Sequence, residues 1–160
     1  MEITIKKMET EAEIRGKAYV HWRAWQEAYP GLVSREYLEK LSLEKCEQMA
    51  FRFPENTLVA KEGERVLGFV CYGERADEAP GVGEIFALYV LAERYGTGLG
   101  RRLMDAALAE LGTCSQIRLW VLKGNERAIR FYEKSGFQPD GEEQELPALS
   151  AREICMRRKA

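Results

Sequence analysis

The sequence predicts a mixed α/β fold: a central, mostly antiparallel twisted sheet of six to seven strands flanked by about four helices. Three observations predict it. Apolar periods of two and of three to four follow one another in the order strand, two helices, three strands, helix, strand, helix, then strands. Residues Arg94-Tyr95-Gly96-Thr97-Gly98-Leu99-Gly100 join an apolar strand-like stretch, 84–90, to a helix-like one, 101–111, which makes one parallel-looking strand–helix–strand unit. The 160 residues are 46% hydrophobic and 31% charged, without internal repeat or linker, which fits one domain over residues 1–160 with a real core.

Each element has a local reason. Residues 2–7 alternate, with Ile3 and Ile5 on one side, as in a half-buried strand. Over 9–28 the apolar residues Ile14, Ala18, Trp22, Trp25 and Tyr29 recur at three and four, an amphipathic helix stopped by Pro30-Gly31. Ser34 caps a second helix carrying Tyr37, Leu38, Leu41 and Met49 inward, and Phe53-Pro54-Glu55-Asn56 closes that region. Two apolar runs, 57–61 and 66–72, flank Glu62-Gly63-Glu64-Arg65 as an antiparallel hairpin. A polar loop, 74–83, leads to 83–90, apolar on nearly every side as expected of a central strand covered on both faces. Leu99, Leu103, Ala107 and Leu111 form the inner stripe of the next helix, with Arg101 and Asp105 outside and Gly112 at its end. Residues 116–122 alternate through Ile117, Leu119 and Val121 as a strand, and Asn125 is placed to cap a helix that Gly136 terminates. Phe137, 142–146 and 154–157 supply the last strand candidates.

Composition narrows the function. A net charge of −2 and a pI near 5.7 lack the basic footprint of a nucleic-acid binder, and Arg157-Arg158-Lys159 is too short to reverse that. Cysteines at 46, 71, 114 and 155 are scattered without a CxxC pair or zinc spacing, so free, mostly buried thiols and no metal are expected. The first residues lack the basic start and apolar run of a signal peptide, and no stretch approaches the roughly 18 apolar residues of a membrane span, so a cytoplasmic location without membrane contact is expected. His21 is the sole histidine, which argues against histidine metal sites and a Ser-His-Asp triad.

The glycine turn is the strongest chemical signal. Three glycines at every second residue allow positive φ and close backbone approach, and the helix N-terminus that follows is an anion site, so the turn is read as a phosphate cradle. A P-loop is excluded because Arg101-Arg102 follow the last glycine where Lys-Ser/Thr is required. A Rossmann fingerprint is excluded because the third glycine position falls on Arg101 or Leu103. A tight strand-to-helix turn without a ligand is the alternative. Trp22, Trp25 and Tyr29 admit two readings, core packing or the lining of an acceptor pocket.

Downstream of the turn stand Leu119-Trp120-Val121-Leu122, Asn125, Ala128 and Phe131-Tyr132-Glu133-Lys134-Ser135-Gly136-Phe137. Together with the turn, residues 83–137 resemble the GNAT superfamily of acyl-CoA-dependent N-acetyltransferases, and Trp22-Arg23-Ala24-Trp25-Gln26-Glu27-Ala28-Tyr29-Pro30-Gly31 resembles openings of its small bacterial members. The family pattern R/Q-x-x-G-x-G/A after an L-x-V strand end is matched by Leu88-Tyr89-Val90, Gly98 and Gly100. Tyr95 stands where the pattern has Arg or Gln, with Arg94 displaced by one, so backbone N–H groups from Gly96 through Thr97, Gly98 and Leu99 to Gly100 carry the pyrophosphate, and Arg94 or Arg101 supplies charge.

The resemblance implies acetyl-CoA as cofactor, splayed central strands, and direct transfer of acetyl to a primary amine of a small molecule, peptide N-terminus or protein lysine in a ternary complex. Main-chain groups of Leu88, Tyr89 and Val90 would bind pantetheine and polarise the acetyl carbonyl, Asn125 would contact the cofactor, and Tyr132 would protonate the leaving thiolate. Glu84 is the expected base and acceptor contact, with Trp25 and Tyr29 as further acceptor-binding residues; the alternatives are an ordinary surface or salt-bridged carboxylate for Glu84, an N-cap for Asn125 and a helix-face aromatic for Tyr132. By the resemblance, the acceptor is bound by residues 22–53, 74–83 and 138–151, and the family often dimerises; Glu74, Asp77, Glu78, Glu142, Glu143 and Glu145 in the latter loops admit two readings, a solvated charged surface or charge for a cationic amine. The competing reading is an acyl-CoA-binding regulatory module with little turnover; Tyr132 and Glu84 favour the enzyme.

Overall fold

The computed structural model describes residues 2–75 and 79–159. Its elements are β1 (Ile3–Lys7), α1 (Glu11–Ala28), α2 (Arg35–Lys40), α3 (Leu43–Arg52), β2 (Thr57–Glu62), β3 (Arg65–Glu74), β4 (Val82–Val90), α4 (Leu99–Glu110), β5 (Gln116–Leu122), α5 (Glu126–Lys134), β6 (Gln138–Leu146) and β7 (Ala151–Lys159), with a 3₁₀ turn at Ala92–Arg94. The seven strands order β1-β2-β3-β4-β5-β7-β6. Every neighbouring pair is antiparallel except β4 and β5, which are parallel and joined through α4, as the glycine turn predicts. Leu99, Leu103, Met104 and Ala107 of α4 pack with Leu67, Phe69 and Ile85 of the sheet in the main core. No helix among the described residues is long and apolar enough to cross a membrane. The four cysteines are free thiols, three of them buried.

The first helix is anchored by a charge. Thr10 caps α1 by accepting from Glu13 N, and Glu13 Oε1 accepts in return from the N–H groups of Thr10 and Glu9. The same carboxylate, 3% exposed, binds Lys6 Nζ of β1 at 2.7 Å and Lys61 Nζ of β2 at 3.0 Å. Burial alone would raise its pKa, but Lys6, the two backbone donors and Lys61 outweigh that and hold it far below the ordinary carboxylate range. The sign follows: this stabilisation is complete above the unfolded carboxylate pKa and is lost as pH falls through the range below it. Glu13→Gln is expected to lower unfolding free energy by about 2–4 kcal/mol, the smaller figure reflecting the partial solvation of both lysines, and to flatten the acid limb of stability measured by urea titration from pH 6 to 3.

The predicted second helix is two helices. Ser34 caps α2 as expected, but Leu41 is extended and Ser42 opens α3 by accepting from Lys45 N. This second cap resets the helical phase. Cys46 and Ala50 therefore turn inward, and Met49, expected inside, is 47% exposed. The last strands run longer than predicted. Glu142-Glu143-Gln144-Glu145 on β6 is polar on both faces, as suits a charged edge strand, and it hides the period-two signal.

The expectation that residues 83–90 form a strand covered on both faces holds for only half of its length. β4 pairs with β5 from Val82↔Gln116 to Ile85↔Leu119 and no further. There β3 sets Cys71 against Ala87 and Tyr72 against Ile85, which leaves Phe86 as the extra residue of a bulge, 47% exposed. From that bulge onward β4 and β5 diverge.

Candidate active site

The divergence opens a cleft of about 1530 Å³ between the two halves of the sheet, lined by the glycine turn and by the adjoining first turns of α5. Strand alternation decides which groups face it. Leu91 N donates to Leu67 O on β3, so the Tyr89 N–H also faces β3, while the Leu88 and Val90 N–H groups face the gap.

The three glycines of the turn are needed for different reasons. Gly96 and Gly98 have φ of +75° and +85°, and a Cβ built on either meets no atom within 4 Å, so these positions stay open toward the cleft. Gly98 is the N-cap of α4 without a side-chain cap, so the first-turn N–H groups of a 12-residue helix have no side-chain acceptor from the cap. Gly100 serves packing instead: a Cβ there would stand 3.3 Å from Phe131 Cε1 of α5. Leu99 is among the lining residues although the residue as a whole is only 2% exposed, its side chain packing in the main core. Thr97 is not among the lining residues, and its hydroxyl donates to Arg94 O at 2.6 Å inside the loop.

The charges around the turn are distributed differently from the expectation. Arg94 is tied to Glu62 at 2.9 Å, and Arg101 sits in an exposed pair with Asp105 that holds it weakly. Arg127 of α5 lies flat over the Tyr95 ring, its guanidinium carbon 3.3 Å from the ring centroid. The departure at Tyr95 thus positions an arginine from another element. With Arg130 and Lys134, Arg127 forms a basic row at spacings of three and four on the cleft side of α5. Open glycines, uncapped amides and this row fit a diphosphate-bearing ligand.

Tyr132 of α5 also lines the cleft, packed edge-on against Phe131 and Phe137. Among the described residues its hydroxyl has no hydrogen-bond partner, and burial, followed by the neighbouring Tyr89, raises its pKa well above that of an ordinary phenol. Tyr29 and Tyr89 share a hydrogen bond of 3.1 Å between hydroxyls. Burial raises both phenols, and Tyr132 contributes to the rise at Tyr29. The two readings of the aromatic segment divide by residue: Trp25 and Tyr29 line the cleft, while Trp22 packs behind it with Ala18, Cys46 and Ala50. His21 stacks on Tyr89, and burial, then Lys17, lowers its pKa to about 4, so it is neutral at physiological pH.

Glu84 lines the cleft, 6% exposed, with Oε1 accepting from Arg118 Nε at 2.6 Å and lying 3.6 Å from Arg75 Nε. Asn125 caps α5, its Oδ1 accepting from Ala128 N at 3.3 Å, and it also lines the cleft. Of the acidic loop residues, Glu142 reaches the cleft, Glu143 pairs with Lys123 and Arg152, Glu145 pairs with Arg152, and Glu74 meets Cys114; Asp77 and Glu78 lie outside the described residues. Arg118, Arg127, Gln144 and Glu153 are lining residues that sequence reasoning missed. The basic spacing on α5 was the one available signal.

The parted strands, the open glycine turn and the Tyr132 phenol line one cleft, an arrangement suited to a transferase with a phosphate-bearing donor. The chain belongs to the acetyltransferase (GNAT) family, whose family model matches residues 19–137. It is an acetyltransferase, and acetyl-CoA is its acyl donor. It is 30% identical over 137 residues to an uncharacterised N-acetyltransferase, YuaI, of Bacillus subtilis (strain 168), a match covering 82% of this chain and 78% of that one. To the spermine/spermidine N(1)-acetyltransferase of the same organism it is 38% identical over 84 residues, covering 48% of this chain and 55% of the relative. Among solved structures, a protein of Pyrococcus horikoshii OT3 superposes with a TM-score of 0.79 at 25% identity, covering 99% of both chains. The PaiA N-acetyltransferase of Thermoplasma acidophilum, solved in complex with coenzyme A, superposes with a TM-score of 0.77 at 24% identity over 100% of both chains, a likeness of fold.

Proposed function

We propose that this enzyme transfers acetyl from acetyl-CoA to a primary amine by direct attack in a ternary complex. The observation that carries the reading is the convergence on one cleft of the open α4 N-terminus, the gap-facing N–H groups of Leu88 and Val90, and the Tyr132 phenol. Acetyl-CoA supplies the thioester. The α4 amides, with Arg127 and Arg101, take the diphosphate, and Asn125 offers the part of its amide that the cap leaves over. The Leu88 N–H polarises the acetyl carbonyl, and Tyr132 gives its proton to the departing sulfur.

The amine must lose a proton, since an alkylammonium with a pKa near 10.4 is almost wholly charged at neutral pH. Glu84 takes that proton through water, because four strand residues separate it from Leu88, about 13 Å. Arg118 and Arg75 fix its carboxylate in one orientation. Glu84→Gln is expected to slow turnover strongly at pH 7 and little at pH 10, where the acceptor deprotonates without help. Equal slowing at both would remove Glu84 from the proton path. The reading as a whole is tested by following thiol release from acetyl-CoA across an amine panel. Binding of acetyl-CoA with no amine-dependent release would sink it and favour a regulatory module.

A further inference from the structure

Among the described residues, five carboxylates line the cleft: Glu27, Glu84, Glu126, Glu142 and Glu153. Three are engaged with cations: Glu27 with Arg23, Glu84 with Arg118 and Arg75, and Glu142 with Arg157. Glu126 is exposed in the first turn of α5, next to Arg127. Glu153 differs from all of them. It is half-buried, it accepts one hydrogen bond from the Gln144 amide, and among the described residues it has no cationic partner.

Its position is set by the sheet. Glu153 on β7 stands opposite Leu122 on β5 and opposite Gln144 on β6, so these three side chains share a face. Leu122 packs in one cluster with Tyr29, Leu146 and Leu149, with Tyr89 against it. After burial and nearer groups, the Glu153 carboxylate adds to the upward pKa shift of both Tyr29 and Tyr89. The α1–α2 loop and the β6–β7 turn are joined over this end by the bond from Ser34 N to Leu149 O, 2.7 Å. Glu84, opposite Arg118, lies four residues away along β5, about 13 Å, at the end where the strands still pair. Glu153 is therefore a half-buried charge without a counter-ion at the open end of the gap, walled by apolar and phenolic groups.

Resting on the amine-acetyltransferase reading, we infer that Glu153, held by Gln144, is the counter-ion that binds the acceptor's ammonium, and that the acceptor class is an alkylammonium on an apolar stem with no carboxylate beside the amine. A stem of that kind lies against Tyr29, Leu146 and Leu149. An adjacent carboxylate, as in a free amino acid, would meet Glu153 with like charge.

The test is a binding titration that needs no turnover. Leucinamide and leucine are titrated by calorimetry into the protein saturated with coenzyme A, for the wild type, Glu153→Gln, Glu153→Asp and the control Glu64→Gln, exposed in the β2–β3 turn away from the cleft. Leucinamide is expected to bind the wild type at least tenfold more tightly than leucine. Glu153→Gln, whose amide oxygen still accepts from Gln144, is expected to lose roughly 10- to 100-fold of leucinamide affinity and most of that discrimination. Glu153→Asp should keep part of the affinity, Glu64→Gln all of it, and coenzyme A affinity should stay constant throughout. Unchanged leucinamide affinity in Glu153→Gln, or equal binding of leucine and leucinamide by the wild type, overturns the assignment. Loss of leucinamide binding without amine-dependent thiol release by the wild type would leave this assignment standing while overturning the acetyl-transfer reading.

Discussion

Tyr132→Phe is expected to lower kcat roughly 10²- to 10⁴-fold while the affinity for acetyl-CoA changes little. The substitution removes one oxygen and leaves the ring between Phe131 and Phe137, so neither the α5 packing nor the cleft wall is disturbed. What is lost is a proton donor whose hydroxyl has no other partner among the described residues and whose raised pKa keeps it protonated across the neutral range. A high pKa does not by itself disqualify an acid here. Burial disfavours a thiolate beside Tyr132 as it disfavours the phenolate, so the proton's destination follows the difference between the two. The sign of the pH dependence follows as well. An acid raised above 10 is lost only above that pH, so the wild-type kcat should show no alkaline fall assignable to Tyr132 below pH 10. Rapid-quench kinetics separates the chemical step from product release; a wild-type rate for that step in Tyr132→Phe would exclude the phenol from proton transfer.

The fold was legible because its signals are local. Strand alternation, the Ser34 and Asn125 caps and the Leu99-to-Leu111 stripe each occupy a few adjacent residues, and the elements stand where those patterns put them. The exposure of Met49 has an equally local cause, a second cap at Ser42 within a run whose apolar spacing predicts one continuous helix. The cleft was legible only where one segment carries it, as in the glycine turn and the α5 segment that holds Tyr132. Arg127 over Tyr95, Arg118 on Glu84 and Glu153 opposite Leu122 join residues 32, 34 and 31 positions apart, and no spacing in the chain encodes such pairs. The alternation of β4 also separates Tyr89 from Leu88 and Val90: its phenol, and not its N–H, belongs to the cleft.

Gly98→Val is expected to weaken acetyl-CoA binding by about 10- to 100-fold, the cost of losing one or two hydrogen bonds to a charged group. Two effects act together. At φ +85° a β-branched residue is strained by a few kcal/mol, so the backbone shifts and the first-turn N–H groups of α4 lose their common direction. The new side chain also projects into space where no protein atom lies within 4 Å, the side open for a phosphate. Gly98→Ala separates them, since it keeps most of the strain and little of the bulk. The stack of Arg127 on Tyr95 supplies a comparison from the adjoining α5: Arg127→Ala should cost less than Gly98→Val, and its effect should fade as salt is raised, because one partly solvated charge is screened while backbone donors are not. Calorimetry with coenzyme A, at matched helix content by circular dichroism, reads these effects. Wild-type affinity in Gly98→Val would contradict the cradle, and a larger loss from Arg127→Ala would move the phosphate site from the amides of α4 to the side chains of α5.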